Sequence, residues 1–380
     1  MLRVTDAYGP IPYSKMQNGT FSVPYDSQRD VYMAMIDDLD AAMETLYTFA
    51  SAGDGILMRD FDISSFKGDS RLWVSFANTL KLRMAIRMSG VEPEARRIAE
   101  EAVRDMATYG LIDANAENLS FSSDSRQNPF YTQATSTSWQ DLRSNASIVM
   151  YMNAYEDPRR ASYFSKSGYD GIYVGVRAGI QNVTPTDYAT YSYPLFAEKD
   201  PVPVMYASES WFLRAEGALL GWTMGDTAEN LYNTGVKTSL ELWGNGSSYE
   251  TYIASETAPA LSYADPRNKH NVSDFGTAVS VKWADDGNEL ERIITQKWIA
   301  NHMIGHEAWA DVRRTGYPRL LQVVNNLSCG MWSNVDSSKG MRRLHYPQSE
   351  YDNNRENVLR GVELLGGSDL HGTDVWWAKK

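Results

Sequence analysis

The densest group of reactive side chains is Asn301-His302-Met303-Ile304-Gly305-His306-Glu307. Two histidines four residues apart share one face of a helix, the spacing with which paired imidazoles grip a metal ion. The zinc-protease order, however, places Glu directly after the first His. Here it follows the second, and Gly305 interrupts the turn, so the simpler reading is a helix–helix junction with surface histidines. Carboxylate pairs occur at Asp37-Asp38, Glu100-Glu101 and Asp285-Asp286. A glycosidase needs two carboxyl groups that converge across roughly 5–10 Å, whereas adjacent helical residues face different ways, which makes these solvated faces. Asp285-Asp286-Gly287-Asn288-Glu289 has the composition of a calcium loop without its alternating ligand positions or its distant Glu. The sequence holds no phosphate-cradling glycine loop and no dinucleotide fingerprint, and Ser136 and Ser138 sit in no nucleophile elbow. With five histidines and a single cysteine, Cys329, nucleophilic and metal catalysis have few parts. One thiol excludes an internal disulfide and any zinc site built on several cysteines. No catalytic residue, metal ligand or cofactor is expected.

Aromatic side chains are the more informative inventory. The chain has 23 Tyr and 11 Trp against 11 Phe. Tyr and Trp suit places where one end of the ring is apolar and the other wet, so the excess points to interfaces or to surfaces on which sugar rings stack. Partly buried rings with satisfied polar tips are the bland alternative.

The 380 residues carry 36 Lys and Arg against 48 Asp and Glu, a net charge of −12, with a pI near 5.0. That balance argues against nucleic acid, which needs a basic face, and against electrostatic docking on anionic lipid. Hydrophobic residues at 43% and charged residues at 22% are ordinary for a folded protein. No run approaches 18 apolar residues, so no helix spans a membrane, and Met1 to Asp6 has no apolar signal-peptide core. The length alone predicts two domains or one large one.

The elements that would carry these residues are helical. Residues 1–25 read as loop, broken by Pro10, Pro12 and Pro24. Ser27 is a good N-cap for a helix whose apolar stripe is Val31, Met35, Leu39, Met43 and Leu46. A second helix, about 71–88, carries Trp73, Phe76, Leu80 and Met84, with a cationic face of Lys81, Arg83 and Arg87 in its later turns. Pro93 starts a third helix, and the short link makes the pair an antiparallel hairpin. The pattern recurs at 208–221 with 227–243, at 289–302 with 307–314, and at 354–365. Such hairpins resemble tetratricopeptide repeats without a strict 34-residue period. Residues 111–145 and 163–205 are long, aromatic-rich irregular stretches; Tyr163, Tyr169, Tyr173, Tyr188, Tyr191 and Tyr193 fall in the second. Dense aromatics argue against disorder, so both read as ordered loops, the usual home of a binding site.

Six segments in order resemble the SusD/RagB family. Tyr8-Gly9-Pro10-Ile11-Pro12-Tyr13-Ser14 resembles the family's GDIPYSEA, with Pro10 where Asp is usual. Residues 76–87 resemble its ANSLKLRLAMR helix, and Glu156-Asp157-Pro158-Arg159 with Tyr163-Phe164 its NDPRL…YF. Residues 208–222 resemble SEVYFLRAEAALRGW; Gln296–Ala300, Glu307–Trp309 and Arg313–Pro318 resemble QKWIA…EAW…RRTGYP. Arg342-Arg343, Tyr346-Pro347, Glu350 and Trp376-Trp377 resemble the closing RRLxYPxxE…WW. The resemblance implies a mostly α fold of tetratricopeptide-like hairpins, about 27–110, 208–243 and 289–314. It implies one SusD-like domain over 1–380, with a loop-rich ligand-binding part at about 111–205 and 318–350. It further implies a non-enzymatic lipoprotein on the surface of the outer membrane, which captures glycans, or peptides in RagB-like relatives, for a SusC-like TonB-dependent transporter. Family members carry a lipidated cysteine and further helices ahead of the segment that starts here, so the resemblance implies a missing N-terminal part.

Sugar rings offer apolar C–H faces to aromatic rings and hydroxyls to polar groups. On that chemistry Tyr131, Trp139, Tyr188, Tyr191, Tyr193 and Trp332 are the candidate stacking residues. A glycoside hydrolase and a scaffold that binds only protein are the alternatives. Of the other marked segments, Asp157-Pro158-Arg159 reads as a turn fixed by Pro158. Arg313 and Arg314 are expected to pair with Glu307 or Asp311 on their own helix, and Trp376-Trp377 to tie down the C-terminal end.

Overall fold

The computed structural model describes residues 1–16, 19, 22–123, 127–134, 142–328 and 333–379. Trp139, Trp332, Cys329, Ser136 and Ser138, named from the sequence, lie outside the described residues. Ten helices of seven residues or more stand among the described residues: α1 (Leu2–Tyr8), α2 (Gln28–Ala52), α3 (Ser70–Arg87), α4 (Ala95–Arg104), α5 (Ala146–Ala154), α6 (Ala207–Leu219), α7 (Ala228–Leu242), α8 (Glu289–Ala300), α9 (Gly305–Thr315) and α10 (Arg355–Leu365). The only β-ladder among these residues pairs β1 (Leu119–Phe121) antiparallel with β2 (Val202–Met205), in register Leu119 to Met205. The fold is therefore mostly α.

The helices begin where side chains can satisfy the first free backbone N–H groups. Ser27 accepts from Asp30 N at 3.1 Å, Asp69 from Arg71 N at 2.9 Å and Thr227 from Asn230 N at 3.2 Å. α2 packs on α3 and α3 on α4; α6 and α7 form the most extensive hairpin, and α8 lies across both. Gly235 of α7 permits that closeness: a Cβ there would sit 3.0 Å from the Phe212 ring of α6. One apolar cluster runs from Leu2 to Ala378 through Leu82, Phe212, Tyr232 and Ile299.

One expectation is corrected. The first 25 residues are not all loop, because Leu2–Tyr8 is helical and buries Leu2, Asp6 and Ala7. Lys81, Arg83 and Arg87 of α3 are all buried, at 4%, 3% and 3% exposed. Arg83 clasps Glu209 of α6 through Nε and Nη2, both at 2.7 Å, and Arg87 donates to Asp6 and Glu307. Lys297 reaches Asp311 at 2.9 Å and Arg314 reaches Glu216 at 2.9 Å. With Arg313, five cations and five carboxylates thus meet where α1, α3, α6, α8 and α9 converge. Charges this deep persist only when paired and hydrogen-bonded. The flanking guanidinium groups hold the Glu307 carboxyl far below the usual range against the opposing cost of burial.

The expectation for Arg313 and Arg314 holds for one of them. Arg314 meets Asp311 at 3.3 Å. Arg313 turns away, lying on the Trp309 ring at 3.5 Å and the Trp377 ring at 4.7 Å, and donating to Asp6 O at 2.6 Å. Burial pushes its guanidinium down to about 9. Trp377 Nε1 donates to Asp6 at 2.8 Å, which ties the C-terminal segment to α1.

Asp157-Pro158-Arg159 is more than a turn. Arg159 is fully buried and grips Asp157 through Nε at 2.9 Å and Nη2 at 2.6 Å. It also reaches Ser239 of α7 and Gln296 of α8, each at 2.9 Å. Tyr252 closes the knot, donating to Asp157 at 2.6 Å.

Candidate functional site

The histidine pair does not form a metal face. α8 ends at Ala300, Met303 takes a φ of 71°, and α9 starts anew at Gly305. His302 is not a surface residue: its ring lies parallel to Tyr163 with centroids 4.0 Å apart, whereas His306 is exposed. Among the described residues no three His, Cys, Asp or Glu side chains converge as a metal site. Burial pushes the His302 imidazole down to about 3. A depressed histidine is neutral when folded and takes up a proton on unfolding, so its contribution is complete above about pH 6.5 and is lost as pH falls toward 3. Stability is expected to drop by about 2 kcal/mol between pH 6.5 and 5 from this group alone. His302→Phe should remove that slope in urea titrations across the interval, and an identical slope in the variant would refute the assignment.

Each carboxylate pair has at least one member engaged. Asp286 Oδ2 meets Arg292 at 3.0 Å, Asp285 accepts from Trp283 Nε1 at 3.0 Å, Asp38 from Tyr13 at 2.5 Å, and Glu100 and Glu101 pair with Arg96 and Arg97. The calcium-like loop is an Asx-type turn whose acids hold protein donors.

A broad cleft of about 1590 Å³ lies where the irregular stretches meet α8 and α9. Its apolar wall comprises Phe130, Phe275, Trp298 and Trp309. Trp309 is fixed by its Nε1, which donates to Met341 O at 2.8 Å, and Trp298 by an edge contact with Tyr151 at 5.7 Å. Three polar side chains of the wall keep unused hydrogen-bonding atoms. Asn301, 2% exposed, has neither its amide oxygen nor its nitrogen bonded, Arg177 has a free Nε and Arg313 a free Nη2. Buried polar atoms normally find partners, and each one left over carries a penalty; these four atoms are closed to the cleft. Half-buried rings along a wide, polar-rimmed groove form a site suited to a ring-bearing ligand.

None of the four candidates among the described residues, Tyr131, Tyr188, Tyr191 and Tyr193, lines this cleft. Tyr131 follows Phe130 on the short helix Pro129–Ala134 and is half-buried. Phe130 stacks on Phe196 at 5.5 Å, and Asn128 bonds to the backbone of Glu198 and Asp200, which joins this helix to the stretch after Tyr193. Tyr193 is half-buried. Tyr188 and Tyr191 are 6% and 1% exposed, with rings 4.7 Å apart. Tyr191 donates to Asp265, and Arg267 covers Tyr188 at 5.2 Å. These two present no open ring face; they pin the loop. Asn301, Arg177 and the cleft aromatics were missed. The signal that was available is the polar Asn301 at the end of an otherwise apolar helix face.

Paired helices that carry a loop-walled cleft on one side define a helical-hairpin class of protein. The chain belongs to the SusD/RagB family: the family described as "Susd and RagB outer membrane lipoprotein" matches residues 1–378. A chitin-binding SusD homologue from Flavobacterium johnsoniae is 39% identical with a TM-score of 0.92, over 100% of this chain and 78% of its own. A SusD homologue from Bacteroides uniformis is 42% identical with a TM-score of 0.91, over 100% and 79%. A SusD-like protein from Bacteroides thetaiotaomicron is 40% identical with a TM-score of 0.89, over 100% and 79%. No curated protein matches the chain.

Proposed function

We propose that this is a surface glycan-binding protein of the outer membrane, which captures oligosaccharide without cleaving it and passes it to a SusC-like TonB-dependent transporter. The observation that carries the reading is the likeness, along the whole chain, to a SusD homologue described as chitin-binding. The cleft supports it. At about 1590 Å³ it exceeds the roughly 300–1,000 Å³ of an ordinary small-molecule pocket, which suits an extended chain. Its rings can take the apolar faces of sugars. Tyr131, Trp139, Tyr193 and Trp332 are proposed to add stacking surface, with Tyr188 and Tyr191 holding the loop that carries Tyr193.

Calorimetric titration with chitooligosaccharides is the test. Saturable binding with no released product is expected; turnover would instead favour a hydrolase, and binding of peptide but not glycan the RagB-like reading. Phe275→Ala, which takes one half-buried ring off the cleft wall, is expected to weaken binding about tenfold. Unaltered affinity in Phe275→Ala would remove the cleft from the site, and in Trp139→Ala would remove that ring.

A further inference from the structure

A second cavity of about 620 Å³ lies beside the cleft, walled by Trp283, Lys282, Glu256, Asp286, Glu291 and Arg319. Arg319 borders both cavities, and the strip 272–279 is their common partition. Val272 and Phe275 face the cleft, and Thr277, Ala278 and Val279 face the smaller space. Arg319 is anchored on that strip, donating to Thr277 O at 2.7 Å, with its guanidinium 5.9 Å from the Phe275 ring centre.

The charges of the smaller cavity are largely spoken for, with one exception. Lys282 pairs with Glu256, and Asp286 with Arg292 behind it. Glu291, in the first turn of α8, is half-buried, and among the described residues no hydrogen bond reaches its carboxylate. Burial raises this carboxyl above the ordinary range, with Arg319 and Arg292 opposing the rise. Trp283 is half-buried, backed by Tyr232 at 5.4 Å and fixed by its bond to Asp285. A held ring and an acceptor without a donor thus share a space with no net charge, Arg319 balancing Glu291, which favours a neutral group rich in O–H or N–H donors.

We infer that this cavity is an extension subsite. A chain-like neutral glycan seated in the cleft continues past Arg319, lays a further sugar on Trp283 and donates a hydroxyl or acetamido N–H to Glu291. The inference rests on the proposed glycan binding, and ligand length separates the two. With chitooligosaccharides from dimer to hexamer, wild type is expected to gain affinity with length beyond the number of sugars that fill the cleft. Trp283→Ala and Glu291→Gln are each expected to lose about tenfold for the hexamer and to match wild type for the dimer, with unchanged circular dichroism; Glu291→Gln keeps the wild-type melting point, whereas Trp283→Ala also loses packing on Tyr232 and melts lower. Variants that bind hexamer like wild type, at whatever affinity wild type shows, would overturn the subsite and leave glycan binding standing. Absence of binding by wild type at every length would overturn both.

Discussion

Glu307→Gln is expected to destabilise the protein by about 3–5 kcal/mol, the usual cost of removing one partner from a buried charge cluster. The change keeps the side chain's shape and deletes one charge. It strips Arg87 of one of its two carboxylates and Arg83 of the second acid beside its clasp on Glu209. With roughly 2.1 cal/mol/K of unfolding entropy per residue, the melting point should fall by about 4–6 °C. The pH dependence gives a second reading. The Glu307 carboxyl is depressed in the folded state, so its contribution is complete above the unfolded value of about 4.3 and is lost as pH falls below it. The gap between wild type and variant should be widest at neutral pH and narrow in acid. A gap under 1 kcal/mol at pH 7 would show that the cluster does not hold α3, α6 and α9 together.

Arg159→Met should cost a similar amount, about 3–5 kcal/mol, for a different reason. Methionine fills much of the volume but donates nothing, so Asp157 keeps only Tyr252 and the backbone N–H of residue 159 as donors. Ser239 and Gln296 lose the donor that links α7 to α8 through the 157–159 segment. Since total stabilities run to about 5–15 kcal/mol, a weak background would leave the variant largely unfolded. Urea midpoints of Arg159→Met and of the double variant with Asp157→Leu discriminate. The double variant, which removes the stranded acid, is expected to recover part of the loss. No recovery would mean that packing rather than charge governs the site.

The helices were legible where the apolar spacing is strict and a cap marks the start, as for α2 from Ser27 and α7 from Thr227. α1 was not, because seven residues next to Pro10 and Pro12 leave no periodic stripe to count. α5 was hidden behind the polar run that precedes it. The cations of α3 were visible, but their burial and their faces were not: spacing puts Arg83 and Arg87 on one side, while the acids they meet stand 126 and 220 residues away in the chain, and Lys81 points to another side, where it meets Asp40 of α2 at 2.6 Å. The site followed the same rule. Loop aromatics could be named by composition, yet whether a ring is open, as for the half-buried Tyr193, or sealed, as for Tyr191, depends on Asp265, a residue 74 positions away.

α9 faces two ways at once. Glu307, Asp311 and Arg314 lock one side into the ion cluster, while His306, Trp309 and Arg313 on the other line the cleft. That wall is bolted to the centre of the molecule, so it cannot mould itself around a guest. The groups on this side keep fixed positions, so any accommodation of differing guests falls to lining segments that α9 does not hold, such as residues 318–323.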